Sequence, residues 1–365
     1  MAGSTDIEWE SPLLEPVANP EAERFLKERI GMVPLGAYYF LDSPWLTRAL
    51  ADFDLRTMPL VHTSHVTSGL LSLVVSQDNS CRYCYATTRS MMKILGYPED
   101  RIRRLEADLQ TAELGDQTTL ALEFARRVSR ANPLAGRRDA ERLLEAGLSA
   151  EYVTELAVLS VVNVFYNRTA TIAALPPEQF ENLPSRWYVR LFRPLVAWRL
   201  GRGMREGTTR ALAPDEARGP FSSMVSAVAP LPLAARIRAV IDGALASPVL
   251  PRRTKALVFA VVARGIGCPA AERESLALLE SEGLSGAAAE RILGDLASPD
   301  LDERDNALLP LARETVWYRP ATLQRHAREV RARMTREEFV ELAGVAALAN
   351  AVCRLGPLVE IRAAC

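Results

Sequence analysis

Apolar residues along this chain recur every three or four positions, and nowhere does a run alternate convincingly with the period of two that a half-buried strand requires. In "PEDRIRRLEADL" the spacing puts Ile102, Leu105 and Leu109 on one helical face, with charges on the other. "DSPWLTRALADF" offers Ser43 as an N-cap and Pro44 at the first helical position, where its missing N–H costs nothing. "SAEYVTELAVLSVVNVFYN" opens on Ser149 and then becomes almost wholly apolar, which predicts a buried central helix. The same order of patterns returns later, as "LPRRTKALVFAVVARG", "CPAAERESLALLESEGL", "SGAAAERILGDL", "LDERDNALLPLARETVWY" and "TREEFVELAGVAALANAVCRLG". An all-α protein with essentially no sheet is expected.

The recurrence keeps register. Cys81 returns as Cys268, Gly96 as Gly283, and Ala125-Arg126 as Ala312-Arg313, all at one constant offset. Glu155 returns as Glu341 and Arg168 as Arg354, with the offset shortened by a single position. A single long period with two copies predicts an internal duplication into two similar domains rather than a solenoid. The expected organisation is an N-terminal tail over 1–20, a first helical domain over 21–182, a linker over 183–218 and a second helical domain over 219–365. The linker carries six arginines between Arg186 and Arg205, interleaved with Trp187, Tyr188, Phe192 and Trp198. It reads as a helix whose aromatic face packs on the domains while its arginines reach solvent or carboxylates.

Composition narrows the classes. At 365 residues, two domains are the ordinary expectation. A formal net charge of −1 gives no electrostatic reason to expect nucleic acid. No apolar run approaches the roughly 18 residues that span a bilayer, and "MAGSTDIEWESPLLEP" lacks the apolar centre of a signal peptide. Five unevenly spaced cysteines are no disulfide scaffold. A reducing cytoplasm is the expected compartment, where Cys-x-x-Cys reads as catalytic or metal-binding.

That motif sits in "SQDNSCRYCYATTRSMMKILGY" as Cys81 and Cys84, three residues apart on the first turn of an expected helix. A helix N-terminus stabilises a thiolate and lowers its pKa, which suits thiol–disulfide exchange. Asn79 or Ser80 is the expected N-cap.

The stretch "VVSQDNSCRYCYATTRSMMKILGY", with "GMVPLGAYYFLDSPWLTRALADFD" before it and "VVNVFYNR" after it, resembles the carboxymuconolactone decarboxylase-like superfamily. More closely it is similar to the peroxidase-related branch, of the alkyl hydroperoxidase D-like type. The resemblance covers the first copy nearly end to end and the second more weakly. It implies two tandem all-helical domains of that type, a homo-oligomer (a dimer or trimer for a duplicated chain) and no cofactor. It also implies reduction of a small hydroperoxide, or exchange with a thiol/disulfide partner protein, in which Cys84 attacks and Cys81 resolves. The family motif is a Glu, eleven residues, Cys-x-x-Cys, three residues, then a His that relays protons with the Glu.

This chain departs from that motif. Gly69 stands at the Glu position and Thr88 at the His position, while the second copy has Ala256, Ala271 and Ser275 at the Glu, second-Cys and His positions. General acid–base help, commonly worth about 10²–10⁴ in rate, is therefore missing. His65, one helical turn before Gly69, is the candidate relocated base, with a pKa suited to neutral pH. Thr88, Tyr85 and Arg89, beside the cysteine pair, are the candidate substrate contacts. Two alternatives compete. A small organic ligand in the helical cavity is one, and a zinc site from His62, His65, Cys81 and Cys84 is the other. Cys353 reads as a packed thiol on the second buried helix; Cys365 and His326 carry no signal.

Overall fold

A computed structural model describes residues 11–54, 57–130, 135–177 and 211–356. These residues are all-helical, with no strand among them. The first half runs α1 (Pro20–Ile30), α2 (Pro44–Asp52), α3 (His65–Asp78), α4 (Arg82–Leu95), α5 (Glu99–Ala107), α6 (Asp116–Ser129), α7 (Arg137–Glu145) and α8 (Ala150–Ile172). The second half runs α9 (Ser222–Ala227), α10 (Leu233–Ala246), α11 (Arg252–Ile266), α12 (Pro269–Ser281), α13 (Gly286–Asp295), α14 (Glu303–Trp317), α15 (Pro320–Arg331) and α16 (Arg336–Cys353). Helices α3, α4, α5 and α6 start at 65, 82, 99 and 116, and α11, α12, α13 and α14 start at 252, 269, 286 and 303, so one offset relates all four pairs.

Local chemistry explains most of the boundaries. The Ser149 hydroxyl caps α8 by accepting from the Tyr152 N–H at 3.1 Å. Ser43 precedes α2 and Pro44 opens it, but the Ser43 side chain makes no cap bond. Ile102, Leu105 and Leu109 are buried together, although α5 ends at Ala107 and Leu109 lies in a short 3-10 turn. Residues before α1 are already packed: Leu14 is buried and the Leu13 N–H donates to the Ala173 carbonyl at 3.1 Å. The expected arginine-rich segment from 183 to 210 lies outside the described residues, as does Cys365.

Helix α8 sits under α3, α4, α6 and α7, and α16 takes the corresponding place under α11, α14 and α15. The most extensive helix–helix contact among the described residues is between α8 and α16 themselves, so the two apolar central helices form one continuous core. Helix α2 crosses onto the second half. The Trp45 indole lies so close to Gly344 that a Cβ there would come within 2.8 Å of the ring. Its Nε1–H donates to Glu341, whose other oxygen meets Lys255 Nζ at 2.7 Å with both side chains sealed from solvent. Lys255 also donates to the carbonyls of Ala244 and Ser247 at 2.7 and 2.6 Å. No helix among the described residues is long and apolar enough to cross a membrane.

Removing one member of a buried ion pair strands the other charge. Glu341→Ala is expected to lower the unfolding free energy by about 3–5 kcal/mol, measured by urea denaturation. Lys255→Met combined with Glu341→Leu is expected to recover most of that loss. A double variant as unstable as the single one would show that the indole contact, not the charge, dominates.

Candidate functional site

Helix α3 ends at Asp78, the chain turns through Asn79 and Ser80, and α4 begins at Arg82. Ser80 takes a left-handed backbone (φ 47°), and the Cys81 N–H returns to the Ser76 carbonyl at 3.0 Å. The cap of α4 is therefore neither Asn79 nor Ser80 but Cys81 itself, whose Sγ accepts from the Cys84 N–H at 3.4 Å. A sulfur placed there faces the positive end of the helix dipole. Asn79 turns the other way, donating to Asn167 Oδ1 on α8 at 3.1 Å, while Asn167 Nδ2 donates to Ser76 Oγ at 3.2 Å. These two amide contacts pin the turn to the central helix.

Cys81 is 1 % exposed and Cys84 9 %. Burial pushes the Cys81 thiol up. Hydrogen bonds from the Cys84 thiol and amide and from the Thr171 side chain, together with the charge of Arg168, outweigh it and hold the Cys81 pKa below the ordinary thiol value. Arg168 is 1 % exposed on α8. Its Nε donates to the Thr315 carbonyl at 2.9 Å, and its guanidinium carbon lies 3.7 Å above the ring centre of Tyr318. Burial drags the Arg168 pKa down to about 10, against the pull of Tyr318 and Cys81, so it remains a cation at neutral pH. The Tyr318 hydroxyl hydrogen lies between Thr171 Oγ1 and the Asn167 carbonyl, the latter at 3.2 Å, which leaves the Thr171 hydrogen to face Cys81. Burial, and then the nearby Cys81, push that phenol well above its usual value, so it stays protonated. The site thus draws Cys81 and Cys84 from α4, Asn167, Arg168 and Thr171 from α8, and Tyr318 from the end of α14.

The other sequence candidates lie apart. His65 is the first residue of α3, while the cysteines follow its last. Gly69 faces Met92 on α4, so the helices run antiparallel and Cys84 lies two helical turns from that contact. About 20 Å of helix, at 1.5 Å per residue, separates His65 from the cysteine turn, beyond hydrogen-bond reach of either sulfur. The same length separates His62 from it, and no group of three or more metal-ligating side chains assembles among the described residues. The alternative zinc site of His62, His65, Cys81 and Cys84 is not assembled among the described residues.

Tyr85 donates to Glu106 Oε1, and Arg89 bridges Glu106 at 2.7 Å and Glu99 at 2.5 Å. These two side chains bind α4 to α5 rather than opening toward a ligand. Thr88 is half-buried on the same helix. In the second half, Cys268 precedes α12 without a side-chain cap bond. Cys353 is buried, and desolvation followed by the nearby Cys268 pushes its thiol well up. Glu272 is held by Arg264 at 2.6 Å, and Glu274 accepts from the Ser223 N–H at 3.1 Å.

Sequence reasoning overlooked Arg168, Thr171 and Tyr318 as functional residues. Arg168 had a signal: it is the lone charge in the long run "LAVLSVVNVFYNRTATI". Replacing it by methionine keeps the stem and removes the charge. Arg168→Met is expected to raise the Cys81 pKa and slow its alkylation by iodoacetamide at neutral pH. An unchanged pH profile of alkylation would show that the sulfur does not feel this charge. Comparison with family models, with curated proteins and with solved structures returned no match to this chain.

Proposed function

We propose that this protein is a thiol–disulfide oxidoreductase of the peroxidase-related, alkyl hydroperoxidase D-like type, in which Cys81 and Cys84 form the redox dithiol. The single observation behind this reading is the Cys81 sulfur. It caps α4 and is held below the ordinary thiol pKa by three hydrogen bonds and a buried arginine, although it is sealed from solvent. The roles of the two cysteines are the reverse of those the family resemblance implies: Cys81 attacks and Cys84 resolves.

The step balances without a cofactor. The Cys81 thiolate attacks one oxygen of a hydroperoxide, the O–O bond breaks, and the departing alkoxide takes the proton of the Cys84 thiol. The Cys84 thiolate then attacks the Cys81 sulfenic acid and expels hydroxide, which is protonated to water. Two electrons leave the dithiol, one disulfide forms, and the hydroperoxide becomes an alcohol and water. An external thiol reverses the disulfide by exchange. Because both sulfurs are buried, a small hydroperoxide fits this site better than a partner protein's disulfide. The same reading carries an internal duplication, inferred from the shared helix starts, a homo-oligomer of two or three chains, and a cytoplasmic, reducing setting.

Treatment of the reduced protein with a small hydroperoxide is expected to remove both Cys81 and Cys84 from the titratable thiols, with recovery on adding dithiothreitol. Cys84→Ser is expected to stop at a trappable sulfenic acid on Cys81, and Cys81→Ser to consume no peroxide above the buffer rate. Peroxide consumption that survives in Cys81→Ser and vanishes in Cys84→Ser would reverse the assignment. No consumption by the wild type would end the reading.

A further inference from the structure

A cleft of about 480 Å³ opens where the turn after α3 and the end of α6 meet the end of α14. Its walls are Asp78, Asn79, Ser129 and Arg130 from the first half and Val316, Trp317, Tyr318 and Arg319 from the second, and Arg168 forms part of its lining. The polar groups of this cleft differ in how far the protein already satisfies them. Asp78 is neutralised by Arg126, through contacts of 2.7 and 2.9 Å, and by Arg130 at 2.9 Å. Arg319 is held by Glu314 at 2.8 Å. Arg168 is different. It is buried, it meets no carboxylate among the described residues, and its Nη1 has no hydrogen-bond partner among them. A buried guanidinium with an unfilled donor is costly to leave alone, and it accepts a carboxylate or phosphate readily. Beside it stands Trp317, 52 % exposed, a large flat apolar surface of the kind that is usually covered when a protein leaves it on a cleft wall.

We propose that this cleft binds a small organic carboxylate, with the carboxylate group against the Arg168 guanidinium and a flat apolar body against Trp317 and Val316. A volume of about 480 Å³ is in the range that holds a small organic molecule and exceeds what a bare inorganic anion needs. Arg126 and Arg130 together exceed the single charge of Asp78 that they hold, so that wall of the cleft keeps a net positive charge where such an anion would enter. The cleft shares Asn79, Arg168 and Tyr318 with the sulfur site. Carboxylate binding is read by calorimetry and NMR with no peroxide present, so its failure is distinguishable from a failure of the dithiol chemistry.

Benzoate is the probe, benzamide its neutral counterpart and inorganic phosphate the bare anion, each titrated into the full chain by isothermal calorimetry and ligand-observed NMR. Benzoate is expected to bind saturably, and benzamide and phosphate to bind at least about tenfold more weakly, a difference of about 1.4 kcal/mol. Trp317→Ala, at an exposed position that does not threaten folding, is expected to weaken benzoate at least about tenfold as well. Arg168→Met, if it folds, is expected to abolish the preference for benzoate over benzamide. No saturable benzoate binding, or equal binding of benzoate and benzamide, overturns the proposal. So does benzoate binding that Trp317→Ala leaves unchanged, which would place the ligand elsewhere.

Discussion

Two arginines are buried in the seam between the halves, and no carboxylate among the described residues meets either of them. Arg168 gives its Nε to the Thr315 carbonyl, and Arg354 gives its Nη2 to the Val316 carbonyl at 3.3 Å. Both acceptors lie in the last turn of α14, where unsatisfied carbonyls and the negative end of the helix dipole collect. Taking a guanidinium out of water costs several kcal/mol unless something repays it. Here the compensation comes from one helix end that serves both central helices at once. The arrangement of α8, α14 and α16 is therefore fixed by charge satisfaction as well as by apolar packing. Everything nearer the thiols inherits that geometry, including the position of Tyr318, which continues the chain from α14 in a left-handed conformation.

The halves solve equivalent problems differently. Glu155 and Glu341 occupy matching places near the starts of α8 and α16, and both are buried. Glu155 accepts from the N–H groups of Val61, His62 and Thr63, and so orders the segment leading into α3. Glu341 instead takes Lys255 and the indole of Trp45, and so ties the two halves together. The thiols diverge in the same manner. At the place where Asn167 carries the amide contacts that hold the Cys81 turn, the second half has Cys353, which cannot make them. Ala271 stands in the second half where the first has Cys84, so the neighbouring thiol of Cys268 is Cys353 on α16. One half holds a thiol whose pKa lies below the ordinary value, and the other holds, in Cys353, a thiol pushed well above it.

The fold was legible because helical periodicity is local. The positions of Ser149 and of Ile102, Leu105 and Leu109, and the wholly apolar run of α8, each follow from a few consecutive residues. The cap of α4 was misplaced because the "DNS" turn offers ordinary capping residues, whereas the backbone turns left-handed at Ser80 and hands the role to a sulfur. His65 was drawn to the cysteines by shared helical phase, which says which face a residue occupies and nothing of how far along the axis it stands. Tyr85 and Arg89 lie beside the motif, but their partners on α5 were invisible without the antiparallel pairing of neighbouring helices. Tyr318 could not have been found: most of the chain's length separates it from Cys81, and no local pattern marks it.

In the dithiol chemistry proposed above, exchanging a Glu–His relay for a buried cation changes which step is helped. A nearby positive charge raises the fraction of Cys81 present as thiolate, at some loss of nucleophilicity, since reactivity falls with pKa by a Brønsted factor of about 0.4–0.5. A factor below one means that, near neutral pH, the gain in thiolate outruns the loss. Arg168 can hold the charge but has no proton to spare, and Tyr318, pushed well up, holds its own too tightly to give. The proton for the leaving alkoxide therefore falls to Cys84, whose thiol already donates to the Cys81 sulfur. Giving it up turns Cys84 into the thiolate that the second step requires. A pair arranged in this way needs no separate base, because the resolving cysteine is activated by the very transfer that completes the first attack.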